Sequence, residues 1–251
     1  LKGDIVVTSK RTRGESKLWP LLLGVTAVLV AVGVYLAVLW APTAVNLPTE
    51  AEQMAQRIFY FHVAAGWVGY VAFGVTAGAG ILYLLKRQRR WDHVAVSSAE
   101  IGVLFTAANL VSGAVWARPT WGTWWSWDDP RLTLAAIVLL VYIAYLMLRN
   151  AIDEPERRAR LASIYGIVGF LSVPLSFISV RIWRTIHPAV IGTGSETSQG
   201  GFDMSGDMVV VLLYAIFTFS LLYVVLLHYR LRLENLREQV DDLKTRALIE
   251  G

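Results

Sequence analysis

Six long apolar runs divide this chain, at about residues 18–40, 58–85, 94–116, 131–149, 161–183 and 206–227. Each approaches or exceeds the roughly 20 residues that a helix, rising about 1.5 Å per residue, needs to cross a bilayer. Their interiors carry almost no charge, with Glu100 the main exception. In lipid every backbone N–H and C=O must be bonded within the protein, which leaves helices or closed barrels. Barrel strands read as short alternating segments, whereas these runs are continuous. The expected fold is therefore all-α, a polytopic membrane protein of six transmembrane helices. Hydrophobic residues at 55% and charged residues at 17%, with a mean hydropathy of +0.51, lie outside the range of a soluble domain.

Charge sets the expected orientation. Lys and Arg near span ends collect on the cytoplasmic side. The N-terminal segment, the loops after spans two and four, and the C-terminal tail together hold 18 of the 23 Lys and Arg residues. The opposite side has Arg57, Arg118, Arg131, Arg181 and Arg184. Both termini are thus expected in the cytoplasm. Residues 1–17 form a basic cytoplasmic segment, residues 18–228 the membrane domain, and residues 229–251 a cytoplasmic tail. Leu233, Leu236, Val240, Leu243 and Ala247 follow helical spacing in that tail, as an amphipathic or coiled-coil helix does; a solvated extension of span six fits equally. The first run is long and lacks a small-residue cleavage pattern, so it reads as a retained helix. The chain has no cysteine, which removes disulfides and thiolate metal sites. Its formal charge of +4 follows from membrane orientation and implies no nucleic acid; the lipid bilayer is the partner that composition demands.

This orientation sorts the aromatic and histidine residues. WARPTWGTWWSWDDPRLT, residues 116–133, places Trp116, Trp121, Trp124, Trp125 and Trp127 between spans three and four on the outer side. His62, at the start of span two, and His187, after span five, lie on the same side; His93 and His228 lie on the inner side. Two neutral imidazoles beside an aromatic floor suit a large flat ligand with a central metal. Haem is such a ligand: its iron takes axial histidine nitrogens, its macrocycle stacks on aromatic faces and its propionates pair with arginine. Bland alternatives exist for each feature. Interfacial tryptophans commonly form a headgroup belt, although a belt spreads over many span ends and these cluster in one loop. A lone histidine at a span end is more often structural than a ligand.

Part of the loop has a mundane role. Asp129 is a favoured helix N-cap and Pro130 a favoured first helical residue, so the pair starts span four whatever the loop binds. Asp128 is less easily explained that way and is a candidate to anchor the loop by accepting N–H groups. Glu100, an intramembrane carboxylate, is expected near the inner end of span three, snorkelling or paired with a basic neighbour. Pro174 is a candidate kink in span five.

At WGTWWSWDDPRLT the sequence resembles the tryptophan-rich signature of haem-handling membrane proteins of cytochrome c biogenesis. Six spans with one histidine on each side of that signature resemble the CcmC family, from about Gln56 to the end of span six. The resemblance implies a carrier of haem b, bound non-covalently and transiently, rather than an enzyme. It implies axial ligation by His62 and His187 over the loop, and transfer to the periplasmic haem chaperone CcmE. The implied partners are the ATP-binding subunit CcmA, the membrane subunit CcmB and the small membrane protein CcmD. The implied place is the bacterial inner membrane with the site facing the periplasm, and ATP hydrolysis falls to CcmA; no phosphate-binding glycine loop appears here. Three departures stand out: both Asp129 and Pro130 separate Trp127-Asp128 from Arg131-Leu132-Thr133 where the family commonly has one residue, Ala64 stands where it often has proline, and the segment Leu1–Lys17 is longer and more basic than the family pattern. On this reading Trp121, Trp124, Trp125 and Trp127 shield one edge of the macrocycle, beside Trp116 and Asp128. Arg118 and Arg184 are the expected propionate partners, with Arg131 a further contact. The rival readings are a membrane b-type cytochrome, with His93 and His228 as inner ligands, a haem lyase of the CcmF or CcsA type, and a small-solute transporter.

Overall fold

Capping residues set where several of the helices begin. Asp129 precedes Pro130 and Glu154 precedes Pro155, each acid accepting two backbone N–H groups at the head of its helix. Proline at the first position loses no bond there, because that N–H has no partner within the helix. Thr49 and Glu52 form a reciprocal capping box. Gly122 ends the third span at φ 74, a left-handed conformation that costs a glycine nothing.

The computed structural model describes residues 17–44, 47, 49–188 and 204–250. Apart from Lys17, the basic segment expected over residues 1–17 lies outside them. Among the described residues there is no strand. The helices are α1 (Leu18–Tyr35, running on as a π-helical turn, Leu36–Trp40), α2 (Glu50–Gln56), α3 (Ile58–Lys86), α4 (Arg89–Trp121), α5 (Pro130–Asn150), α6 (Pro155–Phe170), α7 (Ser172–Ile182) and α8 (Gly206–Glu250). They supply six spans, with α2 leading into α3 and α6 into α7. This is a multi-pass, all-α membrane protein, as the apolar runs require.

The spans pack through small residues. Helix α3 lies along α4 and also touches α6 and α8. Its buried face carries Ala64, Ala65, Gly69, Ala72 and Gly80, and α4 answers with Ser97, Ser98, Ala99 and Gly102. A Cβ on Gly69 would stand 2.5 Å from Thr106 Oγ1, so the two helices meet nearly backbone to backbone. In lipid, where apolar burial drives little association, such close approach supplies dispersion. Helix α1 packs on α8 and turns Leu21, Val28, Val34 and Leu39 outward, as a lipid-facing helix does.

Charged pairs gather at the end of the bundle opposite the tryptophan loop. Arg149 grips Asp92 with both guanidinium nitrogens, the longer bond being 2.9 Å, and both residues are buried. Glu100 pairs with Arg230 of α8, so the intramembrane carboxylate finds the basic neighbour expected of it. His93 bonds to Asn235 at 3.1 Å, and His228 stacks on Trp19 with ring centroids 3.5 Å apart.

Candidate functional site

Two histidines face each other at the tryptophan-loop end. His62 stands just inside α3, and His187 follows the end of α7. Their ring centroids are 6.3 Å apart and the ring planes are inclined by 38°. Nδ1 is committed in both rings: that of His62 lies 2.9 Å from the Asn109 main-chain carbonyl, and that of His187 2.9 Å from the Pro188 carbonyl. A carbonyl only accepts, so Nδ1 carries the proton and Nε2 keeps its lone pair. Metal-binding imidazoles are oriented in this way. Burial, then the charge of Arg131 and the proximity of His62, push the His187 pKa down to about 3, which keeps the ring neutral.

The spacing suits a metal shared between the two rings. A metal–imidazole bond is about 2 Å and a ring nitrogen sits about 1 Å from its ring centre, so collinear ligation puts the centres about 6 Å apart. Among the described residues no group of three or more His, Cys, Asp or Glu side chains is placed to hold a metal. A porphyrin brings four nitrogen ligands of its own to a metal held between two imidazoles.

Open space adjoins the pair on two sides. Two clefts meet at the pair, and His62, Asn109, Trp116, Arg131 and His187 line both. One lies beneath the loop, against Trp121, Trp124 and Trp125. The other opens between α3, α7 and α8, against Phe59, Tyr70, Phe177 and Ile216. Among the described residues no carboxylate lines either cleft. Positive charge comes from Arg131, which lines both, and Arg181, which lines the second. The Arg131 guanidinium bonds to Tyr70 Oη and Ser176 Oγ, each at 3.0 Å, and to the Ser176 carbonyl.

The loop residues divide into floor and rim. Trp116 and Trp121 meet edge to face at 5.1 Å, and Trp125 and Trp127 at 5.6 Å. Trp125 buries its Nε1 without an acceptor among the described residues, leaving an indole donor for a polar ligand atom. Trp127 is 69% exposed and lines neither cleft. Asp128 is exposed too. Arg118, on the surface, bonds to the Gly122 carbonyl at the loop's start; Arg184 is exposed and lines neither cleft.

A family model described as CcmC, heme exporter protein C, matches residues 7–246. The chain belongs to the CcmC family. Proteins named heme exporter protein C are similar to it along most of their length. That of Bradyrhizobium diazoefficiens is 33% identical over 91% of this chain and 83% of its own. That of Haemophilus influenzae is 32% identical over 92% and 90%, and that of Escherichia coli 34% identical over 78% and 79%.

In this CcmC-family chain several residues of the site were not singled out in the sequence. Asn109 donates from Nδ2 to the His62 carbonyl at 2.8 Å, and Gly113 makes room for the ring, since a Cβ there would lie 2.8 Å from His62 Cε1. A polar residue and a glycine four apart within an apolar span share one helix face, and that is the signal by which both were findable. Tyr70 and Ser176 offer no such signal, whereas Arg181 already stood among the outer-side arginines.

Proposed function

We propose that this protein holds haem b as cargo between His62 and His187 and passes it on for cytochrome c maturation. The observation that carries the reading is the pair of facing imidazoles, each with Nδ1 bonded to a backbone carbonyl; Nε2, which in His62 has the Asn109 amide nitrogen 3.4 Å away, is then the ligating atom. The macrocycle extends into the two clefts, over Trp116, Trp121, Trp124 and Trp125, and its propionates meet Arg131 and Arg181. Arg118, Arg184, Asp128 and Trp127 stand further out, at the rim that a receiving protein would meet. The name of the similar proteins, heme exporter protein C, supports export as the purpose.

The receiver on this reading is the haem chaperone CcmE, and the assembly includes CcmA, CcmB and CcmD, with ATP hydrolysis in CcmA. The membrane is the bacterial inner membrane and the site faces the periplasm, because Lys and Arg concentrate at the opposite ends of the spans. A site built partly on a connecting loop suits a carrier, which must release what it binds.

The test is the absorption spectrum of the detergent-purified protein, oxidised and reduced, beside His62→Ala and His187→Ala. Six-coordinate low-spin haem in the parent, with low-spin character or haem content falling in each variant, is expected. Unchanged spectra in both variants would overturn the assignment.

A further inference from the structure

The Asp129 carboxylate makes twice the bonds that a helix cap needs. Its Oδ1 accepts from the backbone N–H groups of Arg131 at 2.9 Å and Leu132 at 3.1 Å, which is the cap that starts α5. Its Oδ2 reaches a segment more than fifty residues away: it accepts from Thr185 Oγ1 at 2.7 Å and from the Ile186 N–H at 2.8 Å. Thr185, having given its hydroxyl proton to Asp129, accepts the His187 N–H on the same oxygen at 3.0 Å. Asp129 is 6% exposed and Thr185 3% exposed, so these are bonds to an ionised group shielded from water, about twice as strong as neutral ones.

His187 lies beyond the last residue of α7, so no helical ladder fixes its backbone. Both N–H groups at and before the ligand end on the Asp129–Thr185 pair. The same aspartate closes the tryptophan loop, two residues after Trp127, and the loop is fastened there by the Thr133 hydroxyl on the Trp127 carbonyl at 2.7 Å.

We propose that Asp129 is the positioning residue of His187: through Thr185 and Ile186 its carboxylate fixes the imidazole opposite His62 and ties that ligand to the tryptophan loop. This rests on the haem reading above for its consequence, and on the four hydrogen bonds for its mechanism. His62 takes its position separately, from Asn109. The two ligands are thus held by different elements, and the Asp129 clamp acts on one of them alone.

Thr185→Val is the decisive variant, because it removes the hydroxyl, keeps the shape and leaves the Asp129 cap of α5 in place. Thr185→Ser, Asp129→Asn and His187→Ala accompany it, all as full chains in detergent. Two readouts are taken: haem retention with the low-spin spectrum, and hydrogen–deuterium exchange of the peptide spanning 183–188 in haem-free protein. Removing an outer partner of a metal-binding histidine typically weakens metal affinity about 10- to 100-fold. Thr185→Val and Asp129→Asn are expected to lose haem to that extent, to regain a low-spin spectrum on addition of imidazole, and to exchange faster at Ile186 and His187. Thr185→Ser should behave as the parent. Parental haem retention and exchange in Thr185→Val, with His187→Ala losing its low-spin spectrum, would overturn the clamp and leave the ligation intact. An unchanged spectrum in His187→Ala would instead sink the ligation, and faster exchange in Thr185→Val would then still uphold the clamp.

Discussion

At the scale of single residues, the site depends on room as much as on ligands. His62 fits because position 113 has no side chain: a Cβ there would meet His62 Cε1 at 2.8 Å. Gly113→Ala therefore sets two effects against each other. Alanine favours an exposed helix interior by about 1 kcal/mol over glycine, while overpacking a fitted site costs about 1–3 kcal/mol. Net stability should change little, but the ring must shift, so haem retention should fall about tenfold while the purified protein stays folded by circular dichroism. Gly24→Ala, where nothing lies within 4 Å, is the control; equal haem retention in the two variants would show that His62 has slack. The histidine pair was legible in the sequence because charge at the span ends sorts residues by side, and only His62 and His187 share the loop's side. The arginines were not legible to that depth: Arg118, Arg131, Arg181 and Arg184 all belong to that side, and which of them enters the clefts depends on rotation about a helix axis. The second oxygen of Asp129 was hidden for a related reason. A bond from Asp129 to Thr185 leaves no periodic trace in either segment.

At the scale of elements, the fifth span shows what proline does in lipid. Pro174 has no N–H to give the Phe170 carbonyl, and its ring crowds that carbonyl. The helix accordingly stops at Phe170 and restarts at Ser172. Leu171 N–H turns to the Val168 carbonyl at 3.1 Å and the Ser172 hydroxyl to the Gly169 carbonyl at 2.6 Å, so the freed backbone is partly bonded again. Beyond the break α7 carries Phe177, Val180 and Arg181 to one cleft and Ser176 to the Arg131 guanidinium. Pro174→Ala restores the missing bond, so the span should straighten and the variant should resist heat at least as well as the parent. Haem retention should nonetheless fall severalfold, because Ser176 would leave Arg131. Parental haem retention in a correctly inserted Pro174→Ala protein would show that the course of α7 does not set the site. Apolar runs made the spans legible and Pro174 marked the break to within a few residues. The tail was less so. Its stripe of Leu233, Leu236, Val240 and Leu243 lies on an uninterrupted continuation of α8 and is exposed, an outcome the spacing alone left open between a partnered helix and a solvated one.

At the scale of the whole molecule, the bundle divides into an apolar end that carries the clefts and a charged end that carries ion pairs. Helix neighbours were not legible in the sequence, since α3 meets α4 closely where Gly66 comes opposite Asn109, Gly69 opposite Thr106, Gly102 opposite Phe73 and Gly113 opposite His62, a match of two surfaces rather than a property of either. The division itself was legible, because Lys and Arg mark one end. It bears on which end faces the cytoplasm. Placing Arg or Lys at the centre of a bilayer costs about 2.5–3.5 kcal/mol per residue, so segments dense in these residues resist translocation, and 18 of 23 fall in the N-terminal segment, the loops after spans two and four and the tail. The absence of cysteine makes this measurable without first removing any native thiol. Asp128→Cys, in the exposed tryptophan loop, and Asp153→Cys, in the exposed turn between α5 and α6, report opposite ends. A membrane-impermeant maleimide applied to intact spheroplasts should label Asp128→Cys at once and Asp153→Cys only after lysis. The reverse pattern would put the clefts in the cytoplasm, where a periplasmic receiver has no access to them, and labelling of both before lysis would break the assumption that the two ends lie on opposite sides of one membrane.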